Sequence, residues 1–405
     1  MTPVALARRG PVGLALPVLL AASVCHFLND ATQSLFTASY PIFRSSFDLS
    51  FAQIGLLTLA YQLSASILQP LIGLYTDRHP APYSLPVGMG ISAAALVTLA
   101  FAPTYPAVVA GAALLGVGSS IFHPESSRLA RLASGGAHGL AQSIFQVGGN
   151  IGASVGPLLV VFFVLPGGQS RLAWFAGMAL CGIAILTRLG QWYSGVLRER
   201  PRAGAARAAD AAPPARVGRA MAILAALIFS KYFYIASFTS YYVFYLEQRF
   251  QTTQRTAQMC LFVFLGAVAL GTLIGGPVGD RIGRKTVIWG SILGILPFAL
   301  VLPYATLPVT IALSAVIGVI LASAFSAIVV YAQELMPHRI GMVSGLFFGL
   351  AFGMAGLGAA VLGVLADATS IVFVYRVCAF LPLIGMLAAL LPETRTRRAA
   401  TRGTA

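Results

Sequence analysis

The chain has 405 residues, of which 58% are hydrophobic and only 9% charged, far below the roughly one quarter charged in a soluble domain. Its apolar stretches recur at membrane-crossing length, which excludes a string of water-soluble domains and points to a polytopic membrane protein. The net charge of +15 would suit nucleic acid only if it formed a face; the basic residues instead fall in short gaps between apolar segments, so no nucleic-acid partner is expected.

In chain order, Arg8 and Arg9 precede an apolar run that resembles a signal peptide. The run outlasts a signal core and further segments follow, so it reads as an uncleaved first span. Twelve spans are predicted, near 12–40, 50–75, 84–102, 105–132, 138–165, 171–191, 219–246, 256–279, 285–304, 306–334, 340–366 and 369–391. Each meets the ~17–25 residues a bilayer crossing needs, and in hydrocarbon uninterrupted runs of this length are helical. With the N-terminus inside, the predicted cytoplasmic ends and loops hold 20 of the 26 Lys and Arg residues; only Arg44, Arg171, Arg249 and Arg255 fall outside, and Lys231 and Arg376 lie within spans. This asymmetry places both termini in the cytoplasm. The Ala-, Pro- and Arg-rich stretch 194–218 reads as a cytoplasmic linker between an N-terminal six-helix bundle (1–193) and a C-terminal one (219–405).

The halves echo each other: GLYTDR (73–78) ends span two and GPVGDR (276–281) ends span eight. A parallel six-plus-six repeat with a central path is a secondary-transporter layout. No GxxxxGK[ST] loop is present to power transport with nucleotide. The four cysteines, Cys25, Cys181, Cys260 and Cys378, lack metal or disulfide spacing. No Ser-His-Asp or paired-acid constellation stands out, so no enzyme activity, cofactor or metal site is expected.

Span one carries HFLND. His26 and Asp30 are i,i+4 and share a face with Asn29 and Gln33 beside them; Asp30 lies about 27 Å along the helix from residue 12. Ionisable groups at such depth mark pathways and proton relays, with a fixed interhelical hydrogen-bond network as the plain alternative. His26 and Asp30 are therefore proton-coupling candidates, and Asn29 and Gln33 candidate cavity residues. At the ends of spans two and eight, Gly73, Asp77 and Arg78, then Gly276, Asp280, Arg281 and Arg284, read as a cytoplasmic gate: the glycines allow close helix approach and the acids pair or cap across it. Span four ends in IFHPESSRLARL, where Pro124 kinks the helix near His123 and Glu125 lies one turn before Arg128. His123 and Glu125 join the proton-coupling candidates; a static Glu–Arg bridge is the alternative. In span five, Gly148, Gly152 and Gly156 form a flat face followed by Pro157, suited to packing at the seam between halves.

Span seven places Lys231 too deep for simple snorkelling. Tyr234, Ser237 and Tyr241 follow it at three- and four-residue steps, a stripe able to hold a small polar or anionic solute. Glu247 and Glu334 read as interfacial, the latter as a gate or cap. Trp174, Trp192 and Trp289 read as belt aromatics, His79 and His338 as loop residues and Asp367 as an outer turn residue.

CHFLNDATQSLF, LSFAQIGLLTLAYQLSASILQPLIGLYTDRHPAPYSLP, GVGSSIFHPESSRLARLASGG and HGLAQSIFQVGGNIGASVGPLL closely resemble the fosmidomycin-resistance branch of the major facilitator superfamily. The resemblance implies an all-α fold of twelve transmembrane helices in two pseudo-symmetric six-helix bundles. It also implies a monomeric exporter in a bacterial inner membrane, exchanging a small antibiotic for protons, with the proton gradient as its only coupling partner besides lipid and substrate. Gly73, Asp77 and Arg78 match the superfamily's loop signature only at its start, because His79-Pro80 follows; Gly276, Asp280, Arg281, Gly283, Arg284 and Lys285 match it fully. Gly152, Gly156 and Pro157 resemble the span-five signature of antiporters. An uptake porter for a small organic anion or sugar is the competing function on the same scaffold, and a transport-incompetent receptor a remote third.

Overall fold

The computed structural model describes residues 13–199, 215–336 and 339–391; within these, only the backbone is described at 199, 215–216, 276–277 and 279–281. It is entirely helical. Twelve crossing elements follow in order: α1 (Leu16–Ala38), α2 (Phe51–Arg78), α3 (Ser84–Ala100), α4 (Tyr105–Leu132), α5 (His138–Leu159), α6 (Ala176–Glu199), α7 (Ala215–Phe250), α8 (Gln254–Ile282), α9 (Arg284–Leu293), α10 (Leu307–Leu335), α11 (Ile340–Ala368) and α12 (Ile371–Cys378). Short helical pieces extend α1 (Tyr40–Phe47), α5 (Val160–Val164, a π turn just after Pro157), α9 (Leu296–Val301) and α12 (Leu381–Leu390). Of the described helices, ten are long and apolar enough to cross a membrane, and α3 is a shorter apolar helix. The remaining element, α1, owes its lower apolarity to the polar stripe that faces the interior.

The outer surface carries large apolar side chains that a soluble protein would bury: Leu71, Phe101, Leu180 and Val364 are each more than half exposed. Lipid is the solvent that accepts such a belt. Inside the N-terminal six, α1 packs on α5, α2 on α4, and α3 on α4 and α6; inside the C-terminal six, α8 and α9 pack on α10, and α7 on α11 and α12. The sets meet chiefly through α2 with α11 and α5 with α8, with smaller contacts of α4 with α11 and of α5 with α10.

The α2–α11 pair is antiparallel and lined by glycine. A methyl on Gly73 would sit 2.3 Å from the Gly341 carbonyl oxygen, and one on Gly345 2.5 Å from that of Gln69. Gly349 faces the Ser66 carbonyl in the same way, the oxygen whose helical donor is missing because Pro70 has no N–H. Gly148, Gly152 and Gly156 do form a close-packed face, but against a different partner from the one expected. Methyls there would meet the Ser23 carbonyl oxygen at 2.0 Å, the Phe27 carbonyl oxygen at 2.2 Å and Ser34 Oγ at 2.3 Å. The stripe thus seats α5 on α1 within one six-helix set. The seam between sets uses the next face of α5, where Asn150 Nδ2 donates to Thr272 Oγ1 of α8 at 2.6 Å.

A central cavity with a three-residue polar cluster

The crossing of the two sets leaves a cavity of about 210 Å³. From α1, α2, α4 and α5 it receives mainly polar groups, among them Asp30, Gln33, Gln62, His123, Gln146 and Asn150; from α8, α10 and α11 mainly apolar ones, including Phe264, Phe325, Phe348 and Phe352.

At the polar wall, α1 and α4 bring His26, Asp30 and His123 together. His26 Nε2 lies 3.2 Å from Asp30 Oδ2, and His123 Nε2 3.5 Å from Asp30 Oδ1. His26 Nδ1 is 2.8 Å from the Phe145 carbonyl oxygen. A carbonyl only accepts, so Nδ1 carries the hydrogen and Nε2 of a neutral ring presents its lone pair to the carboxylate. His123 Nδ1 lies 3.1 Å from the Ser119 carbonyl oxygen, to which it can donate, and 3.2 Å from Ser119 Oγ, a hydroxyl that can instead donate to it and leave Nε2–H for Asp30. With His26 neutral and Asp30 ionised, acceptor would face acceptor at that contact. A proton on either contact turns it into a charge-assisted hydrogen bond. The three donor atoms also lie within 4.8 Å of one another, a grouping able to hold a metal ion that sequence spacing did not suggest.

The surroundings lock this cluster. His26 stacks on Phe145 with ring centroids 4.0 Å apart. A methyl on Gly149 would lie 2.4 Å from His26 Nε2 and 2.7 Å from Asp30 Oδ2, so a glycine on α5 floors the site. Phe348 and Phe352 of α11 cover His123 at 5.2 and 4.8 Å, which brings the opposite six-helix set against the cluster. Asn29 is buried and does not line the cavity; its Nδ2 donates to Asp30 Oδ1 at 2.9 Å. Gln33 does line it, with its side-chain carbonyl accepting from the Tyr61 hydroxyl.

Lys231 lines the cavity from α7. Its Nζ lies 5.6 Å from the Phe325 ring centre and 5.7 Å from that of Tyr232, and no carboxylate pairs with it among the described residues. A lysine amine set between aromatic faces with no carboxylate partner among the described residues is a candidate anion site. The remainder of the expected α7 stripe is displaced. The cavity face runs through Lys231, Tyr232, Ile235 and Thr239, whereas Tyr234 and Tyr241 point to one side of it. Tyr234 packs on Phe238 at 5.5 Å, and the Tyr241 hydroxyl donates to the Ala359 carbonyl at 2.5 Å. Three- and four-residue steps can track either side of a helix, and Lys231 alone did not fix which.

Glu125 also stands apart from the cavity. Its Oε1 pairs with Arg128 Nε at 3.2 Å, inside a second cluster where α2, α4, α10 and α11 meet. There Asp77 accepts from the backbone N–H of Gly341 at 3.2 Å, of Met342 at 2.9 Å and from Arg128 Nη2 at 2.8 Å. Arg128 further donates to the carbonyls of Thr76 and Gly73. Arg131 Nη1 donates to Gln333 Oε1 at 3.1 Å, and Gln333 Nε2 to Ser344 Oγ at 2.9 Å. Arg284 pairs with Glu334. Of the expected gate residues, Gly73, Asp77 and Arg284 thus sit in cross-helix contacts. Arg78 is exposed, and the cation on Asp77 is Arg128. The side chains of Gly276, Asp280 and Arg281 lie outside the described residues, as does His338.

The model of the Major Facilitator Superfamily matches residues 22–245 and 224–405, nearly the whole described chain. The chain belongs to this superfamily. Among its relatives, the fosmidomycin resistance protein of Escherichia coli (strain K12) is 58% identical over 378 residues, 93% of each chain. The uncharacterised superfamily transporter YfnC of Bacillus subtilis (strain 168) is 40% identical over 385 residues, 94% of each. Among solved structures, the E. coli fucose:proton symporter superposes with a TM-score of 0.69 over 94% of this chain and 99% of its own, at 16% identity; that likeness speaks for the shared fold alone. As a superfamily member the protein is a multi-pass secondary transporter rather than an enzyme, and the central cavity is where such a fold meets its solute.

Proposed function

We propose that this transporter exports a small anionic antibiotic of the phosphonate class, such as fosmidomycin, in exchange for protons. The observation that carries the coupling is the convergence of two oriented imidazole Nε2 atoms on the single carboxylate of Asp30 beside the cavity. The 58% identity to a fosmidomycin resistance protein supports the substrate class, and the unpaired ammonium of Lys231 supplies a site for its anionic group.

The cycle follows from charge. With the cavity open inward and the cluster short of protons, Lys231 attracts the anion while the amides of Gln33, Gln62 and Gln146 offer hydrogen bonds to its polar body. After release outside, protons enter between Nε2 and carboxylate. Because α11 rests on His123 through Phe348 and Phe352, the charge state of the cluster biases how the two six-helix sets pack. Gly73, Asp77, Arg128 and Arg284 form the cytoplasmic gate in this reading, with Gly276, Asp280 and Arg281 completing it from α8. The domains divide as 1–193 and 219–405 about a linker over 194–218, into which α6 continues as far as Glu199 and within which α7 begins at Ala215. Both termini face the cytoplasm of a bacterial inner membrane, and one monomer is the working unit.

Everted membrane vesicles energised with an inward-acid proton gradient should accumulate fosmidomycin, and adding drug to them should release protons. Import of the drug into intact cells, with no accumulation in everted vesicles, would replace this reading with an uptake porter.

A further inference from the structure

The gate at the inner end of α2–α11 has a counterpart at the other end of the same helix pair. Asp367, one residue before the end of α11, accepts from the backbone N–H of Phe51 at 3.2 Å through Oδ1 and from that of Ala52 at 2.8 Å through Oδ2. Asp77, one residue before the end of α2, holds Gly341 and Met342 of α11 with near-identical distances. Each helix of the antiparallel pair therefore has a carboxylate near its C-terminus seated on the first turn of the other.

The donor accounting at the start of α2 is complete. A helix leaves its first four N–H groups without intrahelical partners. Ser50 N donates to Gln53 Oε1, and Gln53 N to Ser50 Oγ, a reciprocal capping box. The two donors left over, Phe51 and Ala52, are those Asp367 takes. A first turn capped half by its own side chains and half by the other six-helix set loses two partners whenever the sets part at that end. Around the contact, the Tyr241 hydroxyl also reaches the Phe51 carbonyl oxygen at 3.4 Å, and the Arg44 guanidinium lies 4.5 Å from the Phe51 ring centre and 5.8 Å from that of Phe244.

We propose that Asp367 is a gating residue that holds the outer end of the carrier closed, reciprocal to Asp77 at the inner end, and that outward opening begins with release of its two hydrogen bonds. The two latches are unequal. Asp77 is reinforced by Arg128, while no ion pair of the described residues reaches Asp367, which is exposed. The outer latch is the one that opens more readily, as an exporter that must discharge its load outward requires. Calling this end outer rests on the orientation proposed above.

The test uses the full-length chain with its native cysteines replaced and Thr37→Cys, a cavity residue towards the C-terminal end of α1, as reporter for a membrane-impermeant thiol reagent. Asp367→Ala should raise labelling from the outer face about tenfold with labelling from the cytoplasmic face unchanged, and Asp77→Ala should do the reverse. Unchanged labelling in Asp367→Ala, or an equal rise from both faces, overturns the latch. A rise from the cytoplasmic face alone keeps the latch and overturns the orientation. A second variant, Ala52→Cys with Asp367→Cys, covers the case in which Asp367→Ala fails to fold. Oxidation should stop transport and reductant restore it, whereas transport through the cross-linked protein overturns the proposal.

Discussion

Asp30 is one acid serving two bases. His26 has committed Nδ1–H to the Phe145 carbonyl, His123 Nδ1 is held by the backbone carbonyl and hydroxyl of Ser119, and both rings turn Nε2 to the carboxylate. Replacing Asp30 with Asn keeps the volume and removes the carboxylate on which both Nε2 atoms converge. Asp30→Asn should therefore still insert and bind solute but lose substrate-induced proton release in proteoliposomes; wild-type release would remove Asp30 from the coupling site. Lys231 carries a separate burden. Lys231→Gln should weaken anion binding by about tenfold, near 1.4 kcal/mol, while a neutral analogue of the same solute is bound as before. Equal losses for both solutes would make Lys231 a packing residue. Asn29 and Glu125 illustrate how residue type misleads without position. Both are polar groups in apolar surroundings, yet one donates to Asp30 and the other pairs with Arg128, and neither lines the cavity.

Helix contacts were half legible. The GxxxG run of α5 announced a close-packed face, but small residues describe a surface without naming what lies on it. That surface turned out to be α1. The seam between the six-helix sets, α2 on α11, draws on Gly73, which the GxxxDR motif marks, and on Gly341, Gly345 and Gly349, which no motif separates from the other glycines of that span. A methyl at Gly73 meets backbone, which cannot swing away, so Gly73→Ala should cost about 1–3 kcal/mol or shift the pair apart. Thermal unfolding in detergent should show this loss, while Gly266→Ala, with open space around it, should leave the midpoint near wild type. Matching midpoints for the two variants would mean the α2–α11 approach is looser than described.

For the molecule as a whole, transport needs two sets of helices that are rigid internally and separable from one another. Each six is packed internally, and the divide between them is crossed chiefly by α2–α11, the most extensive helix pair of all, and by α5–α8, so separating the sets has to part these two glycine- and polar-lined seams. A charge cluster sits at one end of the first seam and a carboxylate latch at the other, with the cavity between. Orientation enters here. In a cysteine-free chain, Ala208→Cys in the segment between α6 and α7 should react with an impermeant maleimide in everted vesicles and not in intact cells. Reaction in intact cells would invert the topology and with it the sense of the gates.

Hydropathy and the recurrence of GxxxDR were enough to indicate twelve helical crossings in a six-plus-six layout, because span length answers to bilayer thickness, which acts on each segment separately. The superfamily itself was legible only through the resemblance of longer stretches such as CHFLNDATQSLF. HFLND was legible as a polar stripe for the same reason: in a greasy helix an acid has to face something other than lipid. What the stripe faces depends on residues about a hundred positions away, His123 and the Phe145 carbonyl, and no local rule links them. Asp367 shows the limit most plainly. At a helix end beside water, a lone aspartate costs nothing and signals nothing, and it became a candidate gate residue only when folding set the first turn of α2 against it.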